Sequence, residues 1–258
     1  MKLISKKNCT TIVKYPFTIF EIRNFLPQGE FIELLKSFPN ESFLKQQKNS
    51  IFTLSNNEKV DVDTNNEKVD VDSKFKTFLN ENENWKFFFN ELNSKKQIDS
   101  IYNLSLLPNL KTRGFSALKK WVSKDQNFLM KKITRKVQFQ LNFFILKQNA
   151  TLYPHTDAKS KLVSLVYYLS DTSGAKRGTD FWEINRNKDK WKNLLSSKFH
   201  EDKNTWKNFN EDCKIAYKSE FESNKLVGFF RNDESVHSVA AINTNENISR
   251  KTLSMFLA

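Results

Sequence analysis

Past residue 135 the apolar side chains change from helical spacing to strict alternation, and that change limits the folds open to this chain. In Arg135–Gln148, Val137, Phe139, Leu141, Phe143 and Ile145 alternate with Gln138, Gln140, Asn142, Phe144 and Leu146. A period of two belongs to a strand, whose successive side chains point to opposite faces. One half-face of this strand leans polar. Lys161–Ser170 is a second strong strand, and shorter ones are expected at 178–183, 225–231, 235–240 and 250–257.

Before residue 135 the pattern is mostly helical. Phe17–Ile22 is a short strand-like run. A helix is expected from Pro27, with Phe31, Leu34, Leu35 and Phe38 on one face and Pro39 as its stop. Trp85, Phe88, Phe89 and Leu92 mark further helix within 80–122, with short amphipathic pieces at 95–107 and 115–122 around Pro108 and Gly114. The expected fold class is therefore α+β, mainly β: a sandwich or jelly roll at 136–258 with helices of 1–135 packed outside it. We read 1–258 as one domain. A charged insertion at 184–222, with Trp191, Phe199, Trp206 and Phe209, is read as a lid or a helical decoration. Residues 56–72 carry a tandem duplication, NNEKVDVDT then NNEKVDVDS. Two short copies are too few for a solenoid. The unit lacks the central Gly of a calcium loop, so a solvated hairpin or loop without assigned function is expected.

Composition excludes several classes. Two cysteines, Cys9 and Cys213, make a disulfide framework untenable and point to a reducing, cytoplasmic setting. No apolar run resembles a signal peptide or a membrane span. With 24 Phe, a large core can be buried. The net charge of +13 suits a polyanionic partner, but the lysines are scattered. The accompanying excess of Asn, Phe and Ile and scarcity of Gly and Pro match the bias of an AT-rich genome. A Lys-rich surface is the favoured reading, and nucleic acid is disfavoured as a partner.

The chain has three histidines. His200 lies in the charged insertion and is expected to be solvated. His155-Thr156-Asp157 follows a strand, and His237 sits at the start of another. In extended chain, residues i and i+2 share a face, so His155 and Asp157 can reach one ion. His237 would complete two imidazoles and one carboxylate, a set that leaves open positions opposite and suits non-haem iron(II). Thirteen residues after His237 comes Arg250. It shares a strand face with Thr252 and Ser254, and an Arg beside a hydroxyl suits a carboxylate clamp.

LNFFILKQNATLYPHTD, LVSLVYYLS, RGTDFWEI, NKLVGFF with VHSV, and RKTLSMF, in this order over 136–258, resemble the core of the 2-oxoglutarate/Fe(II) oxygenases, in particular the prolyl-hydroxylase-like branch. YPFTIFEIRNFLPQGEFIELLKSFP is similar to the N-terminal strand and helix common in that group. The resemblance implies a double-stranded β-helix, a cupin-like jelly roll. It implies His155, Asp157 and His237 as ligands of iron(II), Arg250 as partner of the distal carboxylate of 2-oxoglutarate, and Thr252 as the hydroxyl beside it. Gly178-Thr179 resembles the family's Gly-rich strand start, with Arg177 in place of the first Gly. Leu146 and Asn149 stand where the family often has Tyr and Gly, which leaves a tyrosine contact to the co-substrate unassigned. Asn142 is a candidate contact to 2-oxoglutarate or substrate, an ordinary buried Asn being the alternative. The implied activity is hydroxylation of a protein side chain, an amino acid or another small metabolite. It would use O2 and 2-oxoglutarate, release succinate and CO2, and take ascorbate as a candidate reductant. Two other classes compete: a non-catalytic cupin-like binding protein, and a nucleic-acid demethylase of the same superfamily. The latter typically carries a second Arg six residues after the first, where this chain has Phe256. The primary substrate and oligomeric state are not legible.

Overall fold

The computed structural model describes residues 4, 8–47, 51–56, 71–101, 104, 138–158, 160–170, 177–195, 203–241 and 249–257. Among the described residues twelve strands form two antiparallel sheets. They are β1 (Thr11–Val13), β2 (Ile19–Ile22), β3 (Lys45–Gln47), β4 (Ile51–Ser55), β5 (Phe139–Lys147), β6 (Leu152–His155), β7 (Val163–Tyr168), β8 (Arg177–Ile184), β9 (Cys213–Glu220), β10 (Lys225–Phe230), β11 (His237–Val239) and β12 (Ser249–Leu257). The eight-stranded sheet runs β1-β2-β10-β7-β12-β5-β4-β3, and the four-stranded sheet runs β6-β11-β8-β9. From β5 onward the chain alternates between the sheets except at the β8–β9 hairpin. The described helices are α1 (Gln28–Lys36), α2 (Val71–Glu81), α3 (Glu83–Leu92), α4 (Lys188–Leu195) and α5 (Lys203–Asp212), with helical turns also at 95–101. None is long and apolar enough to cross a membrane.

The period-two run forms β5 as expected, and its two faces have different tasks. Phe139, Leu141, Phe143 and Ile145 face the helices and belong to the main core with Phe31, Leu34, Phe75, Phe78, Trp85 and Phe88. Phe143 is fully buried and packs edge-on against Phe38, Phe78 and Trp85. Such aromatic pairs add about 0.5–1.5 kcal/mol each beyond area burial. The other face, Asn142, Phe144 and Leu146, looks toward the smaller sheet. Leu146 and Phe144 there cluster with Ile51, Leu152 and Val239. On the opposite flank Ile19, Val227 and Phe229 of the larger sheet, with Phe17 just before β2, meet Phe181 of β8. Between these two apolar flanks lies a polar interior.

Several boundaries differ from the sequence reading. α1 begins directly after Pro27 but ends at Lys36, where the Ser37 N–H and Oγ both donate to the Glu33 carbonyl, at 3.2 and 2.8 Å. β1, β3 and β4 have no expected counterpart. β3 is exposed throughout and three residues long, and β4 is buried throughout, so neither shows alternation. β4 is recognisable only through its pairing with β5. The last residues of the duplicated segment start α2, while most of that segment, His200, Phe199 and the pieces at 105–122 lie outside the described residues. Within 184–222, α4 and α5 leave the sheet, but β9 returns as the antiparallel partner of β8. The excursion is thus 185–212. Trp191 is fully buried and anchors it, donating from Nε1 to Asp212 at 2.8 Å. Cys213 is buried among Trp182, Ile184 and Phe209, as a small apolar residue would be.

Candidate metal centre

β6 and β11 are antiparallel neighbours in the smaller sheet, and their register sets His237 directly opposite His155. The ring centroids are 4.3 Å apart. Asp157 lies two residues beyond the end of β6. The ligand-type atoms of His155, Asp157 and His237 all fall within 4.8 Å of one another. All three expected ligands therefore meet at one point.

Both imidazoles are oriented by their own strands. His155 Nδ1 donates to the Tyr153 carbonyl at 2.7 Å, and His237 Nδ1 donates to the Ser235 carbonyl at 3.1 Å. A carbonyl only accepts, so the proton sits on Nδ1 and each Nε2 carries the lone pair. That tautomer is the one a metal requires. Burial lowers His155 to about 4, reinforced by His237 and opposed by Asp157. Burial lowers His237 likewise, against the pull of Asp157. Both rings are neutral at neutral pH. Burial alone would raise Asp157, but His237, Lys161 and His155 together hold it well below the usual carboxylate range. Phe229 and Phe181 wall the far side of His237, with centroids 4.6 and 6.4 Å away. Two imidazoles and one carboxylate, dry on one flank, fit a divalent first-row metal.

The larger sheet faces this triad with a graded set of polar groups. Its register puts Phe256 opposite Ser164, Ser254 opposite Val166 and Asn142, and Thr252 opposite Tyr168 and Phe144. Arg250 is the second residue of β12 and is 1% exposed. Its Nη1 donates to the carbonyls of Arg177 at 3.2 Å and Ala240 at 3.0 Å, and Nη2 donates to that of Ala150 at 3.2 Å. Of the five N–H donors a guanidinium offers, Nε–H and one on Nη2 remain. Nε is buried without a partner. No carboxylate among the described residues pairs with Arg250. Burial lowers it only to about 10, so it stays charged. A buried cation with spare donors fits an anion. Thr252 and Asn142 share its face; Thr252 is 7% exposed, and Asn142 Oδ1 is buried without a hydrogen-bond partner.

Four residues around the site were not singled out from sequence. Lys161 Nζ meets Asp157 Oδ1 at 2.6 Å, and Ser164 Oγ donates to Asp157 Oδ2. Arg231 Nε donates to the Asp157 carbonyl at 3.1 Å. Tyr168 Oη pairs with Thr179 Oγ1 at 2.8 Å, beside Thr252 and near Arg250. Burial pushes Tyr168 up to about 12, so it remains a neutral hydroxyl. The position of Ser164 and Tyr168 on one face of the LVSLVYYLS strand was readable by alternation, but the residue opposite each was not.

No known protein-family profile matches the sequence, and no curated protein matches it. Similar solved structures include a prolyl-4-hydroxylase of Pseudomonas putida, at 12% identity, 93% of this chain, 91% of that chain and TM-score 0.43. A 2OG-Fe(II) oxygenase family oxidoreductase of Burkholderia pseudomallei matches at 9% identity, 93% and 84% coverage and TM-score 0.39. HygX of Streptomyces hygroscopicus, with nickel, 2-oxoglutarate and hygromycin B bound, matches at 10% identity, 93% and 82% coverage and TM-score 0.43.

Proposed function

We propose that this chain is an iron(II)- and 2-oxoglutarate-dependent oxygenase that hydroxylates a protein side chain, an amino acid or another small metabolite. The observation that carries this reading is the convergence of His155, Asp157 and His237 within 4.8 Å, with both Nδ1 atoms already committed to carbonyls. The buried Arg250, which has no carboxylate partner among the described residues, supports the second ligand. The alternation of β5–β12 between two facing sheets supports a double-stranded β-helix around the site.

In this reading His155 Nε2, His237 Nε2 and an Asp157 oxygen hold the metal. Iron(II) with bound 2-oxoglutarate supplies oxygen activation coupled to release of succinate and CO2. The side chains do the rest. Arg250 presents Nε–H and one Nη2–H to the distal carboxylate of the co-substrate, and Thr252 adds a hydroxyl. Neutral Tyr168, held by Thr179, donates no competing charge. Asn142 lines the same interior and is assigned to the co-substrate or substrate wall. Phe181 and Phe229 keep water from the His237 side.

Anaerobic titration with iron(II) and 2-oxoglutarate tests the reading. The wild-type chain is expected to develop the weak visible charge-transfer band of the chelate, and the His155→Ala chain is not. A wild-type chain that forms no such complex refutes the oxygenase, in favour of a cupin-like binding protein.

A further inference from the structure

Asp157 is gripped at three points, at both carboxylate oxygens and at its carbonyl. The grip on Oδ1 is a full positive charge. Lys161 reaches it because a turn, closed by the Lys161 N–H on the Ala158 carbonyl at 3.0 Å, folds the chain back. Its Nζ also sits 4.2 Å over the Phe256 ring, and its side chain is 19% exposed. A lysine pinned between a carboxylate and an aromatic face is an ordered part of the site.

The charge balance has a consequence. Two imidazoles that ligate through their lone pairs and one carboxylate bring a single negative charge to a metal, and the ammonium of Lys161, 2.6 Å from Asp157 Oδ1, cancels it. An entering divalent cation meets a protein site with no net charge and must share Asp157 with an ammonium. The positive charge left over after metal binding, together with Arg250, favours a doubly negative co-ligand.

Resting on the metal-centre reading above, we propose that Lys161 is a positioning residue that divides binding strength between the two ligands of the site. It loosens the bare cation and tightens the anion that follows. Charge at a few ångströms remains effective even with water-like screening, so each effect is on the order of tenfold.

The test is Co(II) binding, followed by its visible spectrum, and then 2-oxoglutarate binding to the Co(II)-loaded chain. Lys161→Met is expected to bind Co(II) alone roughly tenfold tighter and 2-oxoglutarate roughly tenfold weaker. Lys161→Arg, which keeps the charge, should leave both near wild type. Opposite signs are the signature of a charge divider. A Lys161→Met chain in which both ligands weaken together makes Lys161 a simple brace for Asp157 and overturns the proposal, as does one in which neither moves. A wild-type chain that takes up no Co(II) instead overturns the metal centre itself.

Discussion

Replacing Arg250 by Met separates its structural role from its ligand role. In the ligand-free chain the substitution removes three hydrogen bonds, to Arg177, Ala240 and Ala150. At about 1.5–3 kcal/mol each for a charged donor, these total roughly 5–9 kcal/mol. It also removes a buried cation with no carboxylate partner among the described residues, whose desolvation costs several kcal/mol. The two nearly cancel, and ligand-free stability should move by only a few degrees. Ligand binding does not cancel. Truncating one side of a buried charge-assisted pairing costs about 2–5 kcal/mol, so Kd for 2-oxoglutarate should rise by roughly 30-fold to several thousand-fold. At a 2-oxoglutarate concentration 100 times the wild-type Kd, the metal-loaded wild type gains about 2.7 kcal/mol. With an unfolding entropy of about 2.1 cal/mol/K per residue over 258 residues, that is a rise in Tm of about 5 °C. With Kd weakened 100-fold, the gain falls to about 0.4 kcal/mol, under ~1 °C. Thermal unfolding of both chains with Mn(II), with and without 2-oxoglutarate, reads this directly. An Arg250→Met chain that keeps the wild-type shift would refute the carboxylate clamp.

Acid should destabilise the metal-free fold before any carboxylate in the site is protonated. His155, near 4, and His237 lie below the ordinary value of about 6.5, so between those pH values the unfolded chain binds more protons. Stability is then full above about 6.5 and falls by about 2–3 kcal/mol for His155 as pH drops toward 4. Asp157, held below the carboxylate range, adds its loss only at lower pH. Equal denaturation midpoints at pH 7.5 and 5 would contradict the buried neutral tautomers. Gly178→Ala should lower Tm by several degrees, about 1–3 kcal/mol, because its Cβ would stand 2.3 Å from the Ser219 carbonyl oxygen and 3.0 Å from the Phe221 nitrogen, both backbone. Gly29→Ala, in α1 with nothing within 4 Å, should instead stabilise by about 0.5–1 kcal/mol; calorimetry showing the same sign for both variants would refute the packing argument.

Much of the architecture could be read from spacing. Alternation located β5, β7 and β12, and helical spacing located α1 and α3, because each buries one face against a continuous partner. β3 and β4 escaped because one is wholly exposed and the other wholly buried, which erases the period. β9 escaped because its charged residues read as part of a solvated excursion, while pairing with β8 holds it in the sheet.

The site divides along the same line. The candidate ligand set, His155, Asp157 and His237, and the strand face shared by Arg250, Thr252 and Asn142's opposite neighbour Ser254 follow from residue type and a period of two. Those are local properties of the backbone. What only the tertiary structure decided is which groups meet: His155 across from His237, Lys161 and Ser164 on the two oxygens of Asp157, and three carbonyls around Arg250 from Ala150, Arg177 and Ala240. Such meetings depend on register between strands far apart in the chain and on a turn that folds back. A one-residue slip would send every one of these side chains to the other face, and no local spacing records the register that prevents it.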